Sequence, residues 1–183
     1  MLDKNQINYF NYQKVENKKF WKRLGGRPDM KGKTVLDFGC GYGALSLEIA
    51  QSEAISVNAI DLEEDALKFA KENLEENFHN LKTKVNFKKI DILENRINQK
   101  FDIIVSKDTF EHTQNLSDVL IKMNQLLNEG GKAYVGFGPL YNFYNGDHGR
   151  TEMYLPWFHL FFSDKFIINR INKKKKININ GIQ

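Results

Sequence analysis

The chain has 183 residues, 41% hydrophobic and 27% charged, an ordinary composition for one globular domain that excludes disordered, collagen-like and fibrous classes. No apolar run approaches the roughly 20 residues needed to cross a bilayer; the longest candidate, residues 153–162, is interrupted by Pro156 and His159. Six of the 27 basic residues and none of the 23 acidic ones lie beyond Asp164, so the net charge of +4 belongs to the tail and residues 1–164 carry no polyanion-binding signature.

In chain order, residues 5–24 are polar with spaced apolar positions (Ile7, Phe10, Val15, Phe20, Trp21, Leu24) and predict one or two short helices, ended by Gly25, Gly26 and Pro28. Residues 34–38 (TVLDF) predict a first strand, residues 39–43 a glycine loop and residues 44–51 a helix. Residues 55–60 predict a second strand, after which Asp61 is placed to cap a helix over residues 63–77 with Leu67, Ala70 and Leu74 inward. Third and fourth strands are expected at 85–90 and 101–105. Asn115 with Asp118 can cap a further helix whose apolar stripe is Leu116, Val119, Leu120, Met123, Leu126 and Leu127; Gly130 and Gly131 are expected to stop it before a fifth strand at 132–137. This alternation predicts an α/β fold, a mostly parallel sheet with helices on both faces. Such sheets bind ligands at the carboxyl ends of their strands, and Asp37–Gly43, Asp61, Asp91 and Ser106–His112 all fall there.

The loop Asp37-Phe38-Gly39-Cys40-Gly41-Tyr42-Gly43 lets a ligand lie against bare main chain. Its glycines satisfy a dinucleotide fingerprint as well, so NAD is one candidate ligand. Asp61, at the next strand end, can take ribose hydroxyls of NAD or of S-adenosylmethionine. Asp37 separates the two: a negative charge beside the loop repels a pyrophosphate and attracts a ligand carrying an ammonium and a sulfonium. An ordinary turn role for Asp37, a cap role for Asp61 and a solvated turn for Asp91 are the structural alternatives.

Taken together, residues 35–43 (VLDFGCGYG), Asp61-Leu62, Asp91-Ile92, residues 101–106 (FDIIVS), Phe110-Glu111-His112 and residues 126–132 (LLNEGGK) resemble, in order over residues 30–140, the class I S-adenosylmethionine-dependent methyltransferases. The resemblance is to their small-molecule branch. It implies a Rossmann-like cofactor-binding domain, expected over residues 31–164; the residue pattern itself sets a helical segment before it (1–30) and a basic, flexible tail after it (165–183). It also implies roles. Asp37, Gly39, Cys40 and Gly41 would hold the methionine part of the cofactor, and Asp61 the ribose. Leu62 would pack on the adenine, Asp91 would accept from its amino group and Ile92 would present a backbone amide. The backbone around Ser106 and Lys107 would line the methionine side. Leu62 and Ile92 can also be read as plain core.

Methyl transfer from a sulfonium is a displacement in which the protein mainly aligns the acceptor; a base is needed only if the acceptor must lose a proton. His112 is the candidate base, with a loop-supporting histidine as its alternative, and Glu111 can orient it or bind a substrate cation. The aromatic stretch over residues 139–162, with His148, Arg150 and His159, resembles an acceptor-site cover, or is a satellite hydrophobic cluster. Four scattered histidines and one cysteine make no closed zinc site. The lone Cys40 and the absence of a signal-like N-terminus point to the cytoplasm. The family's last two strands have no full counterpart, only a short strand at 166–171, so a shortened fold is expected, with a second copy as a possible cover for the sheet edge. The expected function is methyl transfer to a small-molecule acceptor, with an NAD-dependent oxidoreductase or a non-catalytic cofactor-binding module as alternatives.

Overall fold

The structure is a computed structural model and describes residues 2–138, 161–163, 165–169 and 172. Helix α1 (Lys4–Arg23) is a single helix rather than two. Asp3 caps it by accepting from the backbone N–H of Asn5 and Gln6 at 2.9 and 3.1 Å, and Lys22 and Arg23 favour its carboxyl end. Phe10, Asn17, Phe20 and Trp21 share its buried face.

Five strands follow: β1 (Thr34–Phe38), β2 (Ser56–Asp61), β3 (Val85–Lys89), β4 (Phe101–Lys107) and β5 (Leu127–Gly136). They form one parallel sheet in the order β3-β2-β1-β4-β5. Between them lie α2 (Ala44–Gln51), α3 (Glu64–Asn77) and α4 (Leu116–Leu126). The order reverses beside β1, the switch point at which such sheets open a crevice.

Two hydrophobic clusters sandwich the sheet. Val35, Val57, Ala59, Ile103 and Val105 join α1, α2 and α3 on one side; Leu36, Ile60 and Ile104 join Phe110 and α4 on the other. Successive side chains of a strand point to opposite faces, so Asp37 shares the α1 side with Val35. Lys107 likewise shares that side with Val105, while Ser106 falls on the opposite one.

Several sequence expectations are corrected. Asp61 does not cap α3, which starts after Glu63; its Oδ1 accepts from the N–H groups of Leu62 and Glu63 in the turn before the helix. Asn115 makes no side-chain cap to α4; it is left-handed (φ 52°) and offers its carbonyl to Asp118 and Val119 instead. Of the predicted α4 stripe, Val119, Met123 and Leu126 are buried, while Leu116 and Leu120 are exposed. Gly130 and Gly131 do not stop that helix; they lie within β5, beside a register irregularity opposite Phe101–Ile103. The Asp102 carboxylate holds that corner, accepting from Thr34 N, Thr34 Oγ1 and Asn128 Nδ2 at 2.8–2.9 Å.

The chain divides into two compact units, Met1–Phe137 and Gly138–Gln183. In the second, residues 165–169 are helical rather than extended. Ser163 starts that turn, accepting from the N–H of Phe166 and Ile167 through its carbonyl at 2.9 and 3.1 Å, and from Phe166 N through Oγ at 3.4 Å. Apart from Phe161 and Phe162, the aromatic stretch over 139–162 lies outside the described residues, as do His148, Arg150 and His159. Among the described residues no helix is long and apolar enough to cross a membrane.

Candidate functional site

A cavity of about 990 Å³ opens at the carboxyl ends of β1, β2, β3 and β4. Asp37, Gly39, Cys40, Gly41, Asp61, Leu62, Asp91, Ile92, Lys107 and His112 all line it. Ser106 does not; strand alternation turns it to the other face, where its hydroxyl is buried without a hydrogen-bond partner.

Asp37 is 1% exposed and accepts a 2.5 Å hydrogen bond from Ser46 Oγ. Burial pushes its carboxyl up to about 6, against the pull of Ser46 and Lys107. Beyond it the loop is tied down internally. Gly39 N and Cys40 N both donate to Ile60 O at 2.9 and 3.1 Å, and Gly43 N donates to Cys40 O at 2.9 Å. Gly41 N donates to Asp61 Oδ2 at 2.7 Å. A pyrophosphate would therefore meet a buried carboxylate, and the amides of Gly39, Cys40, Gly41 and Gly43 already have partners, unlike those of an anion-binding nest. The Cys40 thiol is buried and pushed well up by that burial and by Asp37 and Asp61. It is a small apolar filler rather than a nucleophile.

Two glycines are required by close approach. A Cβ on Gly39 (φ +77°) would lie 2.1 Å from Thr109 Oγ1, and one on Gly43 (φ +81°) 2.6 Å from the Phe87 ring. The Thr109 hydroxyl sits 3.2–3.5 Å from the carbonyl oxygens of Phe38, Gly39 and Lys107, locking the turn after β4 against the glycine loop.

At the β2–β3 end, Asp91 Oδ1 accepts from Leu93 N at 2.8 Å. Ile92 is buried, whereas Leu62 is 59% exposed and Leu93 38% exposed at the cavity wall. Exposed leucines flanking a polar cleft suit a flat apolar ring. At the β4 end, His112 closes a short 3₁₀ turn (Phe110–His112) and is exposed. Glu111 does not bond to it; Glu111 Oε2 is buried without a partner. Among the described residues no group of His, Cys, Asp and Glu is placed to hold a metal ion.

The sequence reading missed the contribution of α1. Tyr9 and Gln13 line the cavity, and Tyr9 stacks edge-on against Tyr42 of the glycine loop with centroids 5.1 Å apart. Polar positions on an N-terminal helix carry no signal of this; only packing brings them over the sheet. Thr109 and Asp108, also cavity-lining, sit next to the recognised Phe110-Glu111-His112 segment.

A family model for a methyltransferase domain matches residues 29–136, more than half of the chain. The chain belongs to the class I S-adenosylmethionine-dependent methyltransferases. Among its methyltransferase relatives, the malonyl-[acyl-carrier protein] O-methyltransferase of Acetivibrio thermocellus is 31% identical over 142 residues, covering 75% of this chain and 48% of that protein. The ubiquinone biosynthesis O-methyltransferase of Glaesserella parasuis is 36% identical over 108 residues, covering 57% and 44%. The chain thus spans about half the length of the curated relatives it matches. A structure provisionally assigned as an S-adenosyl-L-methionine-dependent methyltransferase of Methanococcus maripaludis shares the fold at TM-score 0.61 and 24% identity, covering 74% of this chain and 63% of that one. Coclaurine N-methyltransferase bound to N-methylheliamine and SAH matches at TM-score 0.54 and 26% identity, covering 74% and 36%.

Proposed function

We propose that this methyltransferase domain binds S-adenosylmethionine in the 990 Å³ cavity and transfers its methyl group to an oxygen of a small molecule. One observation carries the reading: the carboxylates of Asp37, Asp61 and Asp91, from the ends of three adjacent strands, line one cavity beside a glycine loop whose Gly39, Cys40, Gly41 and Gly43 amides are already engaged within the protein. The cofactor supplies a methyl group already activated on a positively charged sulfur. Asp37 holds the ammonium of its methionine part. Asp61, still braced against Gly41 N, takes the ribose hydroxyls, while Leu62 and Leu93 flank the adenine and Asp91 accepts from its amino group. Ile92 supplies a backbone amide, and the main chain of Gly39 and Cys40 forms the floor. The O-methyltransferase relatives favour an oxygen acceptor. For a hydroxyl acceptor, His112, exposed at the β4 end of the same cavity, is the group placed to take the proton. The sole cysteine, buried and unpaired, supports a reducing, cytoplasmic setting.

Titration calorimetry with S-adenosylhomocysteine tests the reading. Saturable binding is the expected result, and no heat at millimolar ligand removes it. With a hydroxyl acceptor, His112→Gln lowers turnover on the order of 100-fold and leaves cofactor affinity unchanged. Binding without transfer to any acceptor in an oxygen-nucleophile panel would reduce the domain to a cofactor-binding module.

A further inference from the structure

The near balance of charge over residues 1–164 conceals a segregation of sign. Residues 1–33 hold nine basic and three acidic residues, whereas residues 34–137, which build the sheet and its other helices, hold 11 and 17. The basic excess is therefore carried by α1 and the turn after it. At physiological salt, charges more than about 8 Å away are largely screened, so a partner that meets α1 senses this excess rather than the sum.

α1 buries Phe10, Asn17, Phe20 and Trp21 and leaves Lys14, Lys18, Lys19, Lys22 and Arg23 exposed. Lys14, Lys18 and Lys22 stand in one row at i, i+4 and i+8, and Lys19 and Arg23 in another at i, i+4. Like charges at that spacing oppose helix formation. The helix dipole accounts for Lys22 and Arg23 in the last turn but falls off before the other three. Of the five, Lys19 alone enters an ion pair among the described residues, with Glu16 at 2.7 Å. Glu16, Lys19, Lys22 and Arg23 line a shallow groove of about 470 Å³. Apolar side chains share this outward side. Tyr12 and Val15 are each 56% exposed, and Val15 lies one turn before Lys18 and Lys19. Tyr9 meets the Tyr12 ring on one side, with centroids 6.3 Å apart, and Tyr42 on another, so it is engaged rather than left open for a base to stack on. Lysines around a tyrosine and a valine suit the headgroup layer of an anionic bilayer, where the charges meet phosphate and the apolar groups reach the acyl boundary.

We propose that the outward side of α1 docks on the surface of a membrane that contains anionic lipid, with Lys14, Lys18, Lys22 and Arg23 at the headgroup phosphates and Tyr12 and Val15 between them. The apolar face of α1 stays in the protein core, so the contact is peripheral and reversible. The acidic excess of residues 34–137 is repelled by the same surface, which fixes the orientation in which the domain lands. This docking does not depend on the cofactor reading above.

Vesicle flotation of the full chain tests it. Vesicles of phosphatidylcholine alone are compared with an equal mixture of phosphatidylcholine and phosphatidylglycerol. Wild type should bind the mixed vesicles at least about tenfold more tightly and release them at about 1 M salt, where the screening length falls to about 3 Å. Each basic residue at an anionic surface is worth roughly fivefold in binding, so Lys18→Glu with Lys22→Glu should weaken it by about 30-fold or more. Both side chains are exposed and outside the cavity, so an unchanged Tm shows that this variant is folded. Replacing Lys173, Lys174, Lys175 and Lys176 by Gln should leave most of the binding. Equal binding of wild type to the two vesicle types overturns the proposal without needing a variant. So does full binding by the α1 variant, or a loss confined to the tail variant. Tighter binding of wild type to poly(U) or to polyglutamate than to the mixed vesicles also overturns it, and would assign the face to a nucleic acid or an acidic protein instead.

Discussion

Replacing Asp37 by Asn should make the stability of the ligand-free protein rise relative to wild type as pH increases, while removing its grip on the cofactor. Burial holds the Asp37 carboxyl at about 6 against an ordinary value of 3.8. The folded protein therefore keeps that proton to higher pH than the unfolded chain. The contribution of the buried neutral acid is complete below pH 3.8 and is lost as pH rises to about 6. At about 1.36 kcal/mol per pH unit, the ionised carboxylate costs the empty fold about 3 kcal/mol at pH 8 and about 1.6 kcal/mol at pH 5. Asn keeps the acceptor for Ser46 Oγ but adds an N–H₂ group to be satisfied. That cost does not depend on pH, so it cancels when the variant-minus-wild-type difference is compared between the two pH values. The difference should grow by about 1.4 kcal/mol from pH 5 to pH 8, a shift of roughly 3–6 °C in relative Tm. Thermal unfolding of both proteins across this range measures it, and a difference constant with pH would refute the reasoning. Calorimetry gives the other half. An ammonium ligand favours the ionised acid, so wild-type affinity for S-adenosylhomocysteine should fall up to about tenfold per pH unit below about pH 6. Asp37→Asn should bind weakly without that slope.

Other substitutions probe the parts that hold this acid in place. Asp61→Ala frees the N–H groups of Gly41, Leu62 and Glu63 at once; cofactor affinity should drop by at least about tenfold and Tm should fall, chiefly through the part-buried Gly41 N–H, whose lost partner costs about 1 kcal/mol. Gly39→Ala forces a Cβ to within 2.1 Å of Thr109 Oγ1 at a left-handed φ; a loss of roughly 2 kcal/mol or more in denaturant unfolding is expected, and an unchanged midpoint would show that the loop relaxes freely. Glu48→Ala strips the acceptors from Asn17 Nδ2 and Trp21 Nε1, both at 2.9 Å; it should destabilise the fold by about 2–3 kcal/mol and loosen α1, read as faster hydrogen exchange at its buried face.

What the amino-acid order alone determined was periodic and local. Apolar strands alternating with amphipathic helices dictated a parallel sheet, and acids just after strands were bound to gather at one edge, because parallel strands deliver all their carboxyl ends to the same side. The amino-acid order therefore gathers Asp37, Asp61 and Asp91 at one edge of the sheet. Tertiary packing decided what periodicity does not encode. Strand alternation turned Ser106 away and Lys107 in, and the docking of α1 brought Gln13 and Asn17 onto that lysine. Cap chemistry at Asp61 and Asn115 yielded to the turn geometry around them. The helix stop expected at Gly130 became a strand irregularity, because Asp102, Thr34 and Asn128 meet there from three separate segments. Each is a contact between residues distant in the chain, and such pairings exist only once the sheet has formed.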